Sequence, residues 1–140
     1  MCRVAQKGIF MIDHTGIGVS DYVKSHAFYV SALAPLGYEV RKQLDMAAGF
    51  GAGALESGDD PGGDFWIHAG SPASPRTHIA FRARNRSEVD AFFAAALAAG
   101  GRDNGAPGLR ELYHPHYYAA FVFDPDGYNI EAVCHLPPAA

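Results

Sequence analysis

Slid along itself by 64 positions, the chain matches itself in order, and this internal repeat limits the possible folds more than any other feature of the sequence. His14 falls on His78, and Ala27, Phe28, Ala32, Leu33, Ala34 and Gly37 fall on Ala91, Phe92, Ala96, Leu97, Ala98 and Gly101. Three of these seven identities are alanines in an alanine-rich chain, so the histidine and the helix-stopping glycine carry most of the weight. Each half shows the same order of patterned segments. Residues 11–19 alternate as a strand. Ser20 or Asp21 caps a helix in which Val23, Ala27, Val30 and Ala34 recur at helical spacing, and Pro35 and Gly37 stop it. Strands are expected at 38–44, 47–55 and 64–69, with a turn over 56–63. After a linker at 71–75 the order recurs. It reads as a strand at 76–83, then a helix with capping-box spacing at Ser87 and Asp90 and an apolar face of Val89, Phe92, Phe93, Ala96 and Leu97. A long loop over 102–116 follows and could hide a short strand. Strands at 117–123 and 129–135 flank the turn Asp124-Pro125-Asp126-Gly127, whose two carboxylates read as structural. The economical reading is an α+β fold of two βαβββ modules, 11–70 and 71–140, in one compact unit. Mixed sheets curl around a cleft and a helix covers the far face of each. Residues 1–10 lack the pattern and read as an N-terminal extension.

Composition narrows the function classes. Hydrophobic residues make up 49% of the 140 and charged residues 19%, which is ordinary globular usage and argues against disorder. The net charge of −4, with no basic run, makes nucleic acid a poor partner. No apolar stretch approaches the roughly 18 residues of a membrane span, and the first ten residues lack the apolar core of a signal peptide. Cys2 and Cys134 stand in no metal or redox spacing and read as free thiols, so the chain is expected to be soluble and cytoplasmic.

His14 shares strand parity with Gly16 and Gly18, and His78 with Ala80 and Arg82. The alternate positions Ile17, Val19, Ile79 and Phe81 suit a helix-covered core, so both histidines are expected on the cleft face. Glu131 lies between Ile130 and Ala132, where a carboxylate is costly unless paired or metal-bound. Two imidazoles and a carboxylate from separate strands can hold one divalent metal ion (Zn, Fe, Ni or Mn) with positions left open. Two adjacent substrate oxygens could bind there while the ion stabilises developing negative charge. Of Tyr117 and Tyr118, one must face the cleft. Tyr118, His114 and His116 are candidates for acid–base work, and Tyr117, Trp66 and Arg110 for substrate contact, Arg110 through an anionic group.

The segments IDHTGIGVSD, FYVSALAPLGY, HIAF and FVFDPDGYNIEAV give the chain a specific likeness. Over roughly Ile12 to Leu136 it resembles the vicinal-oxygen-chelate superfamily of glyoxalase, bleomycin-resistance and extradiol dioxygenase proteins. The resemblance implies metal ligands from the first strand of each module and the last strand of the second, which are His14, His78 and Glu131. It also implies a homodimer, in some members with a cleft completed across chains. Glyoxalase I proteins add a fourth ligand from the last strand of the first module. Here His68 could serve if the register allows, and otherwise Trp66 or Ile67 takes the place. Fosfomycin-modifying relatives carry an Arg after the Glu ligand, and this chain has none beyond Arg110. Extradiol dioxygenases add a His and a Tyr, parts that His114, His116, Tyr117 and Tyr118 could play. The expectation is a metal-dependent enzyme, of lyase or isomerase type or a dioxygenase, acting on a small oxygenated molecule. The alternative is a metal-free protein that sequesters a ligand.

Overall fold

The computed structural model describes residues 12–55 and 58–139; the N-terminal extension and Cys2 lie outside them. The first half runs β1 (Thr15–Val19), α1 (Tyr22–Leu33), a 3₁₀ turn (Ala34–Leu36), β2 (Tyr38–Gln43), β3 (Ala47–Ala52) and β4 (Phe65–Ala69). The second runs β5 (His78–Arg82), α2 (Arg86–Ala98), β6 (Arg102–Leu109), β7 (Tyr118–Phe123) and β8 (Asn129–Cys134). Each half forms its own four-stranded mixed sheet, in the order β1-β4-β3-β2 and β5-β8-β7-β6. The first strand of each lies parallel to the last and at the sheet edge; the other pairings are antiparallel. No helix among the described residues is long and apolar enough to cross a membrane.

The helices follow from caps and stripes. The Asp21 side chain accepts the Lys24 N–H and starts α1. The buried stripe of α1 is Tyr22, Ser25, Phe28, Tyr29, Ala32 and Leu33. The expected valine face is turned outward, with Val23 76% exposed. Two adjacent aromatic side chains bury more apolar area than two valines, so they set the rotation of the helix. The cap of α2 is Asn85, two residues before the expected Ser87. Its side chain accepts the Glu88 N–H, and the Glu88 carboxylate accepts the Arg84 N–H.

The expected loop over 102–116 is largely the eight-residue strand β6. Its Gly105, Pro107 and Gly108 hide it from pattern reading. They are tolerated because β6 is an edge strand with register shifts around Gly105.

One apolar core joins the halves. Phe81 of β5 meets Phe65 of β4 edge-on at 5.1 Å and Tyr38 of β2 at 5.7 Å. A polar latch crosses the same boundary. Buried Asp124 accepts the Tyr29 hydroxyl at 2.5 Å and the N–H groups of Asp126 and Tyr128. The Tyr128 hydroxyl donates to the Gly18 carbonyl and accepts the Ala73 N–H. The buried Asp124 carboxylate and the Tyr128 hydroxyl thus each have partners.

Candidate functional site

Sheet register decides which side chains share the face opposite the helices. In the second sheet Ala80 of β5, Glu131 of β8 and Phe121 of β7 form one cross-strand row. Glu131 is 2% exposed, and His78, one pleat along β5, is half-exposed beside it. His78 Nδ1 lies 2.8 Å from the Asn129 carbonyl, which can only accept, so the ring proton sits on Nδ1. The Nε2 lone pair then faces Glu131 Oε1 at 3.0 Å. Two lone pairs at that distance repel unless a proton or a metal ion lies between them. An imidazole that donates one nitrogen to a carbonyl has its other nitrogen free to ligate a metal ion, or to pair with the carboxylate through a proton. Two neighbouring donors of an octahedral ion, each about 2.1 Å from it, stand about 3 Å apart, so the spacing of this pair is compatible with a shared divalent ion of that geometry. The other Glu131 oxygen accepts the hydroxyl of Tyr117. Burial, and then that hydrogen bond, push the Tyr117 phenol well above its ordinary value, so it stays a proton donor.

The remaining expected residues divide. His14 lies just before β1, exposed, with Nδ1 at 2.7 Å from Asp13. No group of three or more metal-ligating side chains comes together among the described residues, so within one chain His14 does not join His78 and Glu131. Tyr118 points to the helix side. Its hydroxyl donates to Asp90 of α2 at 2.6 Å, and Arg86 packs over its ring. Of the two tyrosines, Tyr117 is the one that reaches the carboxylate. His114 accepts the His116 N–H on Nδ1, so its proton is on Nε2 and points at His135 Nδ1, 2.8 Å away. His114 and His135 both pack edge-on against the Tyr117 ring, at 5.5 and 5.3 Å. Burial, helped by His114 and Arg82 and opposed by Glu131, lowers the affinity of His135 for a proton. His116 takes part through its backbone, by that bond to His114. Arg110 lies over the Phe121 ring at 5.4 Å and donates to the Ala106 carbonyl, with no carboxylate partner among the described residues.

In the first sheet Gly16 of β1, Trp66 of β4 and Gly49 of β3 make the matching row. Gly16 is the repeat partner of Ala80, so Trp66 stands where Glu131 stands in the second sheet. His68 is one pleat further on, opposite Gly18 and Ala47, and does not occupy the place of a fourth ligand. Beside Trp66 opens a cleft of about 410 Å³ whose walls include Arg41, Lys42, Leu44 and the turn Asp60-Pro61-Gly62. Sequence reading missed His135, although it continues the alternation of Glu131 and Val133. It also missed Arg41 and Lys42, whose common side is set by a register shift that alternation does not reveal.

The model of the Glyoxalase/Bleomycin resistance protein/Dioxygenase superfamily matches residues 11–132, and the chain belongs to that superfamily. It is similar to a glyoxalase/bleomycin resistance protein from Albidiferax ferrireducens T118, at 28% identity and a TM-score of 0.72, over 91% of this chain and 100% of that one. It shares its fold with a glyoxalase/bleomycin resistance protein/dioxygenase family enzyme from Burkholderia phytofirmans PsJN, at 18% identity and a TM-score of 0.65, over 89% and 98% of the two chains. A glyoxalase-related enzyme from Fulvimarina pelagi aligns at 18% identity and a TM-score of 0.64, over 90% and 88%. No curated protein matches the chain.

Proposed function

We propose that the protein is a metal-dependent enzyme acting on a small oxygenated substrate, with His78 and Glu131 as two ligands of one divalent ion and His14 as the third. The observation that carries this reading is the orientation of His78: Nδ1 is committed to a carbonyl and Nε2 faces a buried carboxylate. Because His14 stands apart within one chain and both β1 and β5 are open sheet edges, we place the third ligand on a second copy, in a homodimer. The ion, when bound, would polarise two adjacent substrate oxygens and stabilise an enolate or oxyanion. Asn129 fixes the His78 tautomer, Tyr117 holds the second Glu131 oxygen and keeps a proton at its hydroxyl, and Arg110 is free to meet an anionic group. Lyase or isomerase chemistry and ring-opening dioxygenase chemistry both use this set, and the native metal separates them. Iron with oxygen uptake on a catechol selects the second. Nickel or zinc with activity on a hemithioacetal selects the first.

The test is metal content of protein purified without chelator. One ion per site is expected, with loss of at least about tenfold in affinity in His78→Ala and Glu131→Gln. Mixing His14→Ala with His78→Ala chains should restore metal to part of the population, because a mixed dimer holds one intact site. Metal-free protein from every preparation would sink the reading. It would favour the second one, a ligand-sequestering protein, which draws on the engagement of His14 by Asp13.

A further inference from the structure

The cleft beside Trp66 is built by a defect in strand pairing. Val40 pairs with Phe50 and Lys42 with Gly49, so Arg41 is an extra residue on β2. In a regular strand Arg41 and Lys42 would point to opposite faces; the bulge turns both to the cleft. Opposite them β3 carries glycines. A Cβ on Gly51 would lie 3.3 Å from Arg41 Cγ, and one on Gly49 would lie 2.6 Å from the Trp66 ring. The bare strand thus lets the guanidinium stem and the indole lie down on the sheet. The indole N–H is already given to the Gly63 carbonyl at 3.3 Å, which leaves the ring face as what Trp66 offers a ligand.

The charges are placed for an anion. The Lys42 side chain has no hydrogen bond or ion pair among the described residues. Arg41 gives Nη1 to the exposed Glu39 and to the Gly53 carbonyl, while its Nη2 has no hydrogen bond among the described residues. Asp60, the one carboxylate among the described residues that line the cleft, accepts the Gly62 N–H within its own turn. A chain of net charge −4 thus keeps two cationic side chains beside its single tryptophan. The volume of about 410 Å³ falls within the range of about 300–1,000 Å³ typical of small-molecule sites.

We propose that this cleft binds a flat aromatic carboxylate, the ring against Trp66 and the carboxylate between Arg41 and Lys42. This goes beyond the metal reading and does not depend on it, since none of the three ligands lines the cleft. Titration of Trp66 fluorescence with benzoate tests it, because the signal has one source. The expected result is a saturable change with benzoate that weakens with added salt. Neutral benzamide should bind at least about tenfold more weakly, and inorganic phosphate likewise. Lys42→Gln, which breaks no bond in the fold, should weaken benzoate by about tenfold. Trp66→Phe, followed by calorimetry, should weaken it less. The proposal is overturned if benzoate gives no saturable change or if benzamide binds as tightly. It is overturned equally if phosphate competes on equal terms, or if Lys42→Gln leaves benzoate affinity unmoved. His78→Ala should leave benzoate binding intact, so loss of the metal and loss of this site are read separately.

Discussion

Asp60-Pro61-Gly62-Gly63 before β4 and Asp124-Pro125-Asp126-Gly127 before β8 make the same turn. In each the aspartate side chain accepts the N–H two residues on, at 2.8 and 2.9 Å, and the final glycine has positive φ, 91° and 87°. Their surroundings differ. Asp124 is 1% exposed and holds Tyr29 of the other module, whereas Asp60 is exposed on the rim of the Trp66 cleft. The strands that follow also differ by one residue. Trp66 stands six residues after Asp60 and Glu131 seven after Asp124, yet each lands opposite an equivalent position, Gly16 or Ala80. The two rows then divide volume differently: Gly16-Trp66-Gly49 against Ala80-Glu131-Phe121. One scaffold, used twice, supplies an aromatic wall in one sheet and a buried acid in the other. The exchange needs only matched changes in the neighbours that share each row.

The largest test of that division is Gly49→Val. A Cβ there would sit 2.1 Å from the Gly62 carbonyl oxygen, a backbone atom that cannot swing aside, as well as against Trp66. Urea denaturation should show a loss on the order of 3 kcal/mol or more. At the matching place in the second sheet, Phe121→Leu should cost about 1 kcal/mol, because a half-buried ring is traded for a side chain of similar bulk. Equal losses at both positions would break the idea that the glycine is there for the tryptophan.

Much of this was legible in the sequence, for identifiable reasons. The repeat at a constant offset of 64 marks both helices and both histidines, alternation puts His78 on the cleft face, and the apolar neighbours of Glu131 mark it as a carboxylate in need of a partner; that the two share a face rests on the β5–β8 register. The offset fails at the last strand of each module, where one residue is gained. A constant slide sets Glu131 against Ile67, while strand pairing sets it against Trp66. Alternation also fails at Arg41, where the bulge reverses which face the next residue takes. β6 was hidden by glycines and a proline that an edge strand tolerates. Choosing between Tyr117 and Tyr118 required the β7–β8 register, in which Phe121, on the parity of Tyr117, faces Glu131.

A smaller effect separates the two turns. Tyr29→Phe leaves one Asp124 oxygen buried without its hydroxyl donor, which should cost about 1–3 kcal/mol. Asp60→Ala removes the same kind of bond from an exposed turn and should cost about 0.5 kcal/mol, since water replaces the lost partner. Thermal denaturation of the two variants side by side measures the difference. Comparable losses would mean that Asp124 owes its stability to the turn and not to the link between modules.

The smallest expected difference concerns acid. His135 in the second module faces the Nε2–H of His114 with a lone pair. Protonating His135 would set two N–H groups against each other beside Arg82, with Glu131 the sole opposing charge among its named neighbours. Burial first, and then His114 and Arg82, thus lower its folded affinity for a proton from the ordinary value of 6.5. The neutral ring contributes stability that is fully present above pH 6.5 and is lost as pH falls through the lower folded value. Between pH 7.5 and 5 the wild type should lose Tm relative to His135→Gln by on the order of 1 °C, the partner being exposed and screened. If His135→Gln tracks the wild type over that range, the His114–His135 contact is not the acid-sensitive one.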